Sequence, residues 1–477
     1  YRENVKKRSE IMHGDPIKQL DKAVFWTEYV IRHKGAPHLR SAALNLSWYQ
    51  YLLLDVVAVV VLIIFVPLFV IIKAFKKYCC RKTEKPAKKI NKFSLSRTAI
   101  EVAYHRASQM GKSTQVLVLF TFILCTVNSS KILGVFHMPA YSHYQLGDRL
   151  LKELAARGHE VTVITPYAEK NPVKNFKQVV LTGAIEKLQP TKDKLFEQTE
   201  SNVIRNIVWL ELMGLELVES TLSHPNVQEF LKSNNQFDLV ILNQFGNDAF
   251  KGFCHYYNAP CVVLSPVTVP LWTHAQIANP DSPAYFPDMY SDPAFDTMNS
   301  HISINPAVPY LPNMIDIGGY HVKPPKKLPK DLQEYLDGAK DGVVLFSLGS
   351  NLQSKNLPKE KRESILKAFS KLKQKVLWKW EDETLPNQPP NVKLSKWLPQ
   401  SDVIAHRNIK LLITHGGLLS TTEAIYHGVP IIGIPIFGGQ EKNIALAERN
   451  RYAILVPYKQ LTEEKLSHAL NEVINNP

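Results

Sequence analysis

The chain has 477 residues, of which 45% are hydrophobic, so it is long enough for two ordinary domains with apolar cores. Its formal charge of +14 does not indicate a nucleic-acid-binding protein, because residues 73–91 alone carry eight Lys or Arg against one Glu. The five cysteines are too few for a disulfide framework, and Cys254 and Cys261 lack the neighbouring His pair of a zinc site.

An apolar run near the start of the chain predicts a transmembrane helix over residues 51–72. The run reads YLLLDVVAVVVLIIFVPLFVII, is interrupted only by Asp55, and is long enough to cross a bilayer. The basic segment 73–109 that follows is a predicted cytosolic tail and spacer, which puts residues 1–50 in the lumen by the positive-inside rule. A buried core helix is the alternative interpretation.

A second apolar stretch has the pattern of a secretory signal peptide over residues 110–130. Residues 115–127 follow Met110 and Lys112 and precede the small polar run Asn128-Ser129-Ser130. Signal peptides belong at the start of a chain, whereas this one follows a predicted membrane anchor. The order of the segments therefore needs an explanation.

From Lys131 the chain alternates between apolar strands and amphipathic helices. Residues 131–320 contain KILGVFHM, EVTVITP, FDLVIL and APCVVLSP, and residues 341–477 contain GVVLFSLGS, KVLWKW, KLLITH and VPIIGIPIF. A Pro- and Lys-rich linker over 321–340 separates the two groups. We predict an α/β fold of two Rossmann-like domains facing a cleft, which suits a nucleotide and a second substrate.

The turn after KLLITH has the features of a phosphate site. His415 leads into Gly416-Gly417 and then into the helical LLSTTEAIYHG, so backbone amides at a positive helix N-terminus can approach an anion. An ordinary tight turn would use the same glycines. The turn alone leaves both interpretations open.

Its surroundings carry a family resemblance. Residues 397–440 read WLPQSDVIAHRNIKLLITHGGLLSTTEAIYHGVPIIGIPIFGGQ and closely resemble the signature of the UDP-glycosyltransferases, the insect type in particular. The similarity extends to residues 142–166, PNMIDIGGYHV (312–322) and LFSLGS (345–350). The resemblance implies the two-domain GT-B architecture, with a UDP-sugar held by the C-terminal domain and neither a further cofactor nor a metal.

The resemblance also implies which residues bind the donor. Trp397 is expected to stack on the uracil, Gln400 and Glu423 to bind uracil and ribose, and the others to hold the pyrophosphate and sugar. A flat apolar ring suits a base, a carboxylate suits a ribose diol, and hydroxyls with a helix N-terminus suit a dianion. The expected donor-binding residues are Ser350, Trp397, Gln400, His415, Gly417, Ser420, Glu423 and Gln440.

For catalysis, His143 resembles the family's general base, which takes the proton of an acceptor hydroxyl and leads to inverted stereochemistry. It opens a helix, where the dipole keeps the imidazole neutral. A cap or surface histidine is the alternative. The strand FDLVIL ends at Asn243 instead of the expected orienting carboxylate, so we predict Asp248 in that role, although it could merely offset a helix dipole.

Two departures bear on activity. Gly439 precedes Gln440 where the family has an Asp whose carboxylate binds the donor sugar, a loss worth about 1.5–3 kcal/mol. A helical stretch of the acceptor domain is also missing around residues 298–300. We expect an inverting transferase that moves a hexose, preferentially glucose, to a hydroxyl of a small lipophilic acceptor. The alternative is a non-catalytic nucleotide- or ligand-binding relative that has lost turnover.

The order of the segments is the largest departure. Residues 1–12 and 23–40 resemble the family's C-terminal luminal tail, and Lys88-Lys89-Ile90-Asn91 resembles a di-lysine retrieval signal of the endoplasmic reticulum, which acts at a free C-terminus. One hypothesis is a gene-model fusion of two tandem copies, with a start at Met110. The rival is a permuted protein whose residues 1–35 pack against the cleft. Either way, we predict a single-pass protein of the endoplasmic-reticulum membrane with luminal catalytic domains, which contacts the lipid bilayer and no nucleic acid.

Overall fold

The computed structural model describes residues 1–39, 54–78, 129–197, 203–266, 295–305 and 312–475. The chain divides into two compact units, residues 1–41 with 129–477 and residues 42–128. The helices of the described residues are α1 (Arg2–His13), α2 (Gln19–Arg32), α3 (Leu54–Tyr78), α4 (Tyr141–Ala156), α5 (Ala184–Asp193), α6 (Val203–Leu222), α7 (Pro225–Lys232), α8 (Gly252–Tyr256), α9 (Lys330–Asp337), α10 (Lys359–Ser370), α11 (Gln400–Ile404), α12 (Leu418–Tyr426), α13 (Gln440–Arg449) and α14 (Glu463–Asn475).

The larger unit is built on two parallel sheets. Among the described residues, the first sheet has seven strands in the order β3-β2-β1-β4-β5-β6-β7, and the second has six in the order β10-β9-β8-β11-β12-β13. We call the first sheet with its helices the first lobe and the other the second lobe. The strands are β1 (Lys131–Val135), β2 (Glu160–Thr165), β3 (Phe176–Val180), β4 (Leu239–Asn243), β5 (Cys261–Ser265), β6 (Phe295–Met298), β7 (Met314–Asp316), β8 (Val343–Ser347), β9 (Lys375–Lys379), β10 (Val392–Ser395), β11 (Ile409–Thr414), β12 (Ile431–Gly433) and β13 (Ala453–Leu455).

The strand predictions are confirmed, because runs buried on both faces are what a helix-covered parallel sheet requires. All five residues of β4, β5 and β8 are buried. The apolar stripe predicted on the first helix is also confirmed, since Leu146, Leu150, Leu151 and Leu154 of α4 are at most 1% exposed. The two-domain α/β prediction therefore holds.

Strand order brings the ends of distant segments together. In the first lobe β1 pairs with β4, with Val135 opposite Leu242, so the segments after these strands emerge side by side. In the second lobe β8 pairs with β11, with Ser347 opposite Thr414. Ligands of doubly wound sheets bind at such carboxyl edges, next to the point where the strand order reverses.

The N-terminal helices pack on both lobes. Val5 and Met12 of α1 belong to an apolar core with strands of the second lobe, whereas Val24 and Val30 of α2 belong to the core of the first. Polar contacts add to this packing: Arg8 Nη2 lies 2.6 Å from Asn450 Oδ1, Asp15 Oδ2 3.0 Å from His301 Nε2, and Arg157 Nη2 2.6 Å from Asp21 Oδ1. These contacts join the N-terminal helices to both lobes of the larger unit.

The smaller unit is described only over helix α3, which begins at Leu54 and contains Pro67. The predicted membrane span over 51–72 is not confirmed, because none of the helices in the described ranges is both long and apolar enough to cross a membrane. The signal-like segment 110–130 lies outside the described residues except for its last two, and so does the basic tail 73–109 beyond Tyr78.

A disulfide that the sequence did not predict joins Cys254 of α8 to Cys261 of β5. The chain reverses direction between them at Asn258, whose φ of 49° lies in the left-handed region that Asn tolerates. The helix therefore ends close to the strand that follows it.

Candidate active site

His143 lies in the first turn of α4, where the segment after β1 leads into the helix. Its Nδ1 is 3.0 Å from Oδ1 of Asn243, the last residue of β4. With the amide oxygen as acceptor, Nδ1 carries the proton and Nε2 keeps the lone pair that a general base needs. Burial lowers the pKa of His143 below its usual value, although the Asn243 bond acts in the opposite direction.

Asp248 does not hold this ring, which corrects the sequence prediction. Its Oδ1 accepts a hydrogen bond from Gln244 Nε2 at 3.0 Å and pairs with Lys251 Nζ at 3.1 Å, and its side chain is 55% exposed. A short 3-10 helix, Asp248–Lys251, begins at this residue, and its one turn brings Asp248 next to Lys251. Asn243, which is fully buried, occupies the orienting position instead.

A second histidine that sequence reasoning missed lies beside the first. His137 follows β1, is 1% exposed, and packs edge-on against Phe250 with ring centroids 4.6 Å apart. Neither of its ring nitrogens has a hydrogen-bond partner among the described residues. Burial and the proximity of His143 lower its pKa to about 3, so it is neutral. The sequence could have indicated this residue, because it follows the carboxyl end of a predicted parallel strand, where ligands usually bind.

Three of the predicted donor residues form one hydrogen-bonded group, which we call the donor cluster: Gln400, Ser420 and Glu423. Gln400 Nε2 donates to Ser420 Oγ at 2.9 Å and to Glu423 Oε2 at 2.7 Å. The carboxyl group is 5% exposed, and burial raises the pKa of Glu423 to about 7 despite the Gln400 bond. A buried carboxyl group whose pKa lies near 7 is typical of a binding site.

His415 lies between two glycines at the same edge. A Cβ added to Gly349 or Gly417 would come within 2.6 Å of the imidazole, so both positions need glycine. Gly416 has a φ of 87°, which favours glycine, and an added Cβ there would clash with Ile444. Backbone conformation and packing therefore both require glycine at this position. Burial and the nearby Lys379 lower the pKa of His415 to about 4.

Ser350 follows β8 and His415 follows β11, and these two strands are neighbours in the sheet. Ser350 is partly exposed. Its hydroxyl and the N-terminus of α12, which begins at Leu418 after Gly417, are therefore available on one edge. Backbone N–H groups at a helix N-terminus bind anions without a metal. Within the described ranges, no group of three His, Cys, Asp or Glu could hold a metal ion.

Trp397 touches the first lobe. Its ring is 57% exposed and lies edge-to-face with Tyr141, the residue that begins α4, at a centroid distance of 5.4 Å. Lys379 Nζ lies 5.9 Å from the Trp397 centroid and pairs with Glu381 Oε1 at 2.9 Å. Sequence reasoning missed Tyr141 and Lys379; a Lys at the end of the strand KVLWKW was a signal for the second, whereas nothing local indicated the first.

Gln440 is the first residue of α13, and its side chain forms hydrogen bonds with the backbone. Its Oε1 accepts hydrogen bonds from the amides of Ile436 at 2.8 Å and Phe437 at 3.1 Å, which fixes the loop after β12. Gly439, in the family's Asp position, has φ −73° and ψ 1°, and an added Cβ would meet no heavy atom within 4 Å. The conformation therefore accepts any L-residue.

A cavity of about 330 Å³ lies in the first lobe, with His137 in its wall. The wall also includes Pro139, together with Trp209 and Met213 of α6. This volume is at the lower end of the ~300–1,000 Å³ range of small-molecule sites. The cavity can therefore hold a small molecule beside His137.

The chain is similar in sequence to proteins of a known family. The family model described as UDP-glucoronosyl and UDP-glucosyl transferase matches residues 1–90 and 263–477. UDP-glycosyltransferase UGT5 of Dactylopius coccus is 32% identical over 419 residues, which cover 75% of this chain and 79% of the relative. UDP-glucosyltransferase 2 of the same organism is 31% identical over 424 residues, covering 76% and 80%.

Solved structures support the fold. The glycosyltransferase of kitacinnamycin superposes with a TM-score of 0.54 at 18% identity, covering 73% of this chain and 92% of that one. Arabidopsis thaliana UGT89C1 complexed with UDP gives 0.52 at 16% identity, covering 72% and 90%. The GT-B architecture is thereby confirmed. Together with the family match, this means that the chain belongs to the UDP-glucuronosyl and UDP-glucosyl transferase family, as an enzyme that transfers a sugar from a UDP-sugar.

Proposed function

We propose that this enzyme is an inverting transferase that moves glucose from UDP-glucose to a hydroxyl of a small lipophilic acceptor, with His143 as the general base. The observation that carries the proposal is the contact between Trp397 and Tyr141, with ring centroids 5.4 Å apart. Trp397 is the expected uracil platform, and Tyr141 is two residues from the base. Donor and acceptor would thus be held within reach of each other.

In the proposed reaction, Nε2 of His143 accepts the proton of the acceptor hydroxyl. The acceptor oxygen forms a bond to the anomeric carbon while the bond from that carbon to the UDP oxygen breaks, and UDP leaves with the electron pair. Attack from the face opposite UDP inverts the stereochemistry at that carbon. The bond between Nδ1 and Asn243 supports this role, because it fixes the tautomer with its lone pair on Nε2.

On the donor side, the donor cluster supports recognition of the nucleoside. The ionised Glu423 carboxylate can accept hydrogen bonds from a ribose diol, and Gln400 is already bonded to it. Ser350, His415 and the N-terminus of α12 are proposed to hold the pyrophosphate. Glucose is proposed as the sugar from the family's preference, with recognition weakened at Gly439.

The acceptor is proposed to occupy the cavity of about 330 Å³ beside His137 and Pro139. The disulfide between Cys254 and Cys261 supports a further proposal, that the catalytic lobes lie in the lumen of the endoplasmic reticulum, since disulfides persist in oxidising compartments. In intact cells treated with a membrane-permeant alkylating reagent, Cys254 and Cys261 should stay unmodified unless a reducing agent is added; modification without reduction would contradict that location.

UDP release with a panel of UDP-sugars and acceptors tests the function. We expect release that depends on the acceptor, is fastest with UDP-glucose, yields a product of inverted anomeric configuration by NMR, and is lost in His143→Gln. His255→Gln is the matched control, because His255 is exposed on α8. Release that ignores both the acceptor and His143 would refute the mechanism. UDP binding by calorimetry without release would instead indicate the non-catalytic relative, which the family match does not favour.

A further inference from the structure

We infer that the enzyme selects acceptors with an acidic hydroxyl, phenols above all, and discriminates against aliphatic alcohols, because its base has an amide instead of a carboxylate as partner. The inference rests on the proposed function, since it concerns the acceptor of the same site. It follows from the surroundings of His143 in three steps.

The first step is the partner of Nδ1. Asn243 Oδ1 lies 3.0 Å from it and can accept its hydrogen bond, but an amide carries no charge to stabilise the imidazolium that forms when the base takes a proton. A buried carboxylate in this position would do so. Asn243 is fully buried, and its Nδ2 has no hydrogen-bond partner among the described residues. The amide therefore does not link the His143 ring to a charged group.

The second step is the rest of the environment, which also disfavours a charged ring. Phe245 packs edge-on against His143 with centroids 5.0 Å apart, and the neutral His137 lies nearby. The ring stands in the first turn of α4, at the positive end of the helix dipole. The direction of its pKa agrees, since burial lowers it.

Several charged groups on the neighbouring elements form ion pairs with one another. On α4, Asp148 pairs with Lys152 Nζ at 2.6 Å, and Lys152 also reaches Glu169 at 2.6 Å. After β4, Asp248 pairs with Lys251 at 3.1 Å. The His143 ring belongs to none of these ion pairs, so they provide no carboxylate partner for its imidazolium.

The third step is the chemistry of proton transfer. Each unit by which the pKa of the hydroxyl exceeds that of the base costs up to a factor of ten in the transfer equilibrium. A phenol, like Tyr with a pKa of about 10, is several units closer to imidazole than a hydroxyl that resembles water at about 15.7. A base with lowered basicity therefore catalyses attack by phenols far better than attack by alcohols. The cavity wall fits, because Trp209 and Met213 offer apolar surface to a ring.

Two isomeric acceptors isolate this property. 4-Methylphenol and benzyl alcohol have the same formula and nearly the same size, so a difference in kcat/KM reports acidity more than fit. We expect the wild-type enzyme to prefer 4-methylphenol by at least about 100-fold, within the range of general-base effects. Asn243→Asp should reduce this ratio at least about tenfold, through a higher kcat for benzyl alcohol, because the carboxylate strengthens the base.

The control is Asn258→Asp, which makes the same substitution in the exposed turn after α8. Asn258 does not contact the imidazole, and Asp tolerates its left-handed conformation, so the ratio should stay at its wild-type value. Thermal melting of each variant verifies that it is folded. A wild-type ratio near one, or an Asn243→Asp ratio equal to that of the wild type, would overturn the inference.

A second readout needs no acceptor. The rate at which diethyl pyrocarbonate modifies His143, followed on its peptide by mass spectrometry, gives the pH midpoint of the ring. The midpoint should be higher in Asn243→Asp than in the wild type and in Asn258→Asp; equal midpoints would contradict the weak-base argument. Absence of transfer to both isomers from any UDP-sugar would overturn the proposed function and the selectivity with it. Transfer to both at equal rates would overturn the selectivity alone.

Discussion

Replacing Gly439 with Asp is expected to strengthen recognition of the donor sugar. The backbone accepts the change, because φ −73° and ψ 1° are ordinary for an L-residue and an added Cβ meets no heavy atom within 4 Å. The residue also precedes the first turn of α13, where an Asp side chain is compatible with the helix N-terminus. The new carboxylate would stand next to Gln440, as it does in the family pattern.

The magnitude follows from the hydrogen bonds that the carboxylate would accept. Bonds from sugar hydroxyls to a charged group contribute about 1.5–3 kcal/mol, and 1.4 kcal/mol corresponds to a factor of ten. We therefore expect kcat/KM for UDP-glucose to rise between about 10-fold and 100-fold. Replacing Gly by Asp at a helix N-cap changes stability by only a few tenths of a kcal/mol, so the effect should not come from folding.

The assay is steady-state UDP release with UDP-glucose at saturating acceptor, with the affinity for UDP measured in parallel by calorimetry. UDP has no sugar, so its affinity should not change. Gly439→Asn is the matched control, because it adds the same shape without the charge and should gain much less. The reasoning would be refuted by equal kcat/KM values for Gly439→Asp and the wild type, or by an equal gain in the Asn variant.

Three further predictions concern named groups. Burial raises the pKa of Glu423 to about 7, and its ionised form is the one proposed to accept hydrogen bonds from the ribose, so the affinity for UDP-glucose should rise from pH 6 to pH 8 in calorimetry and Glu423→Gln should remove this dependence. The raised pKa also means that the native state binds more protons than the unfolded state. The wild-type free energy of unfolding should therefore fall between about pH 4.5 and 7 relative to that of Glu423→Gln. Trp397→Leu should weaken UDP binding by about 1–3 kcal/mol without unfolding the protein, since the exposed ring is a stacking surface; unchanged affinity would exclude that role. The double variant Cys254→Ser and Cys261→Ser should lose about 2.5 kcal/mol in urea denaturation, from the closure of a short loop, and reducing agent should have no further effect on it.

The sequence was sufficient for the sheets because their strands are buried on both faces. FDLVIL and GVVLFSLGS are apolar runs bounded by polar residues, and they became the inner strands β4 and β8. The donor cluster was also predictable, since Gln400, Ser420 and Glu423 belong to one continuous motif. In these cases the signal lies within a few residues of the feature that it predicts.

Contacts between distant segments were not predictable in the same way. We expected the group that orients His143 to lie near the end of β4, and Asn243 does lie there. The sequence did not show whether Asn243 or Asp248 would contact the ring, because that depends on the backbone conformation after β4. A 3-10 turn there directs Asp248 to Lys251. Similarly, the disulfide between Cys254 and Cys261 depends on a left-handed Asn258 that the cysteine count does not reveal.

Helix α1 packs against α12, the helix that carries two residues of the donor cluster, although most of the chain separates the two in sequence. Helix α12 buries Ser420 and Glu423, which bond to Gln400, and its last residue contacts α1. There Ser9 Oγ donates to the carbonyl of Tyr426 at 2.7 Å, and the His13 ring lies 4.2 Å from the Tyr426 ring. Because a closely packed interior transmits strain, these contacts of α1 support the position of α12 and of the donor cluster. Helix α1 therefore contributes to positioning the residues that we propose to bind the nucleoside.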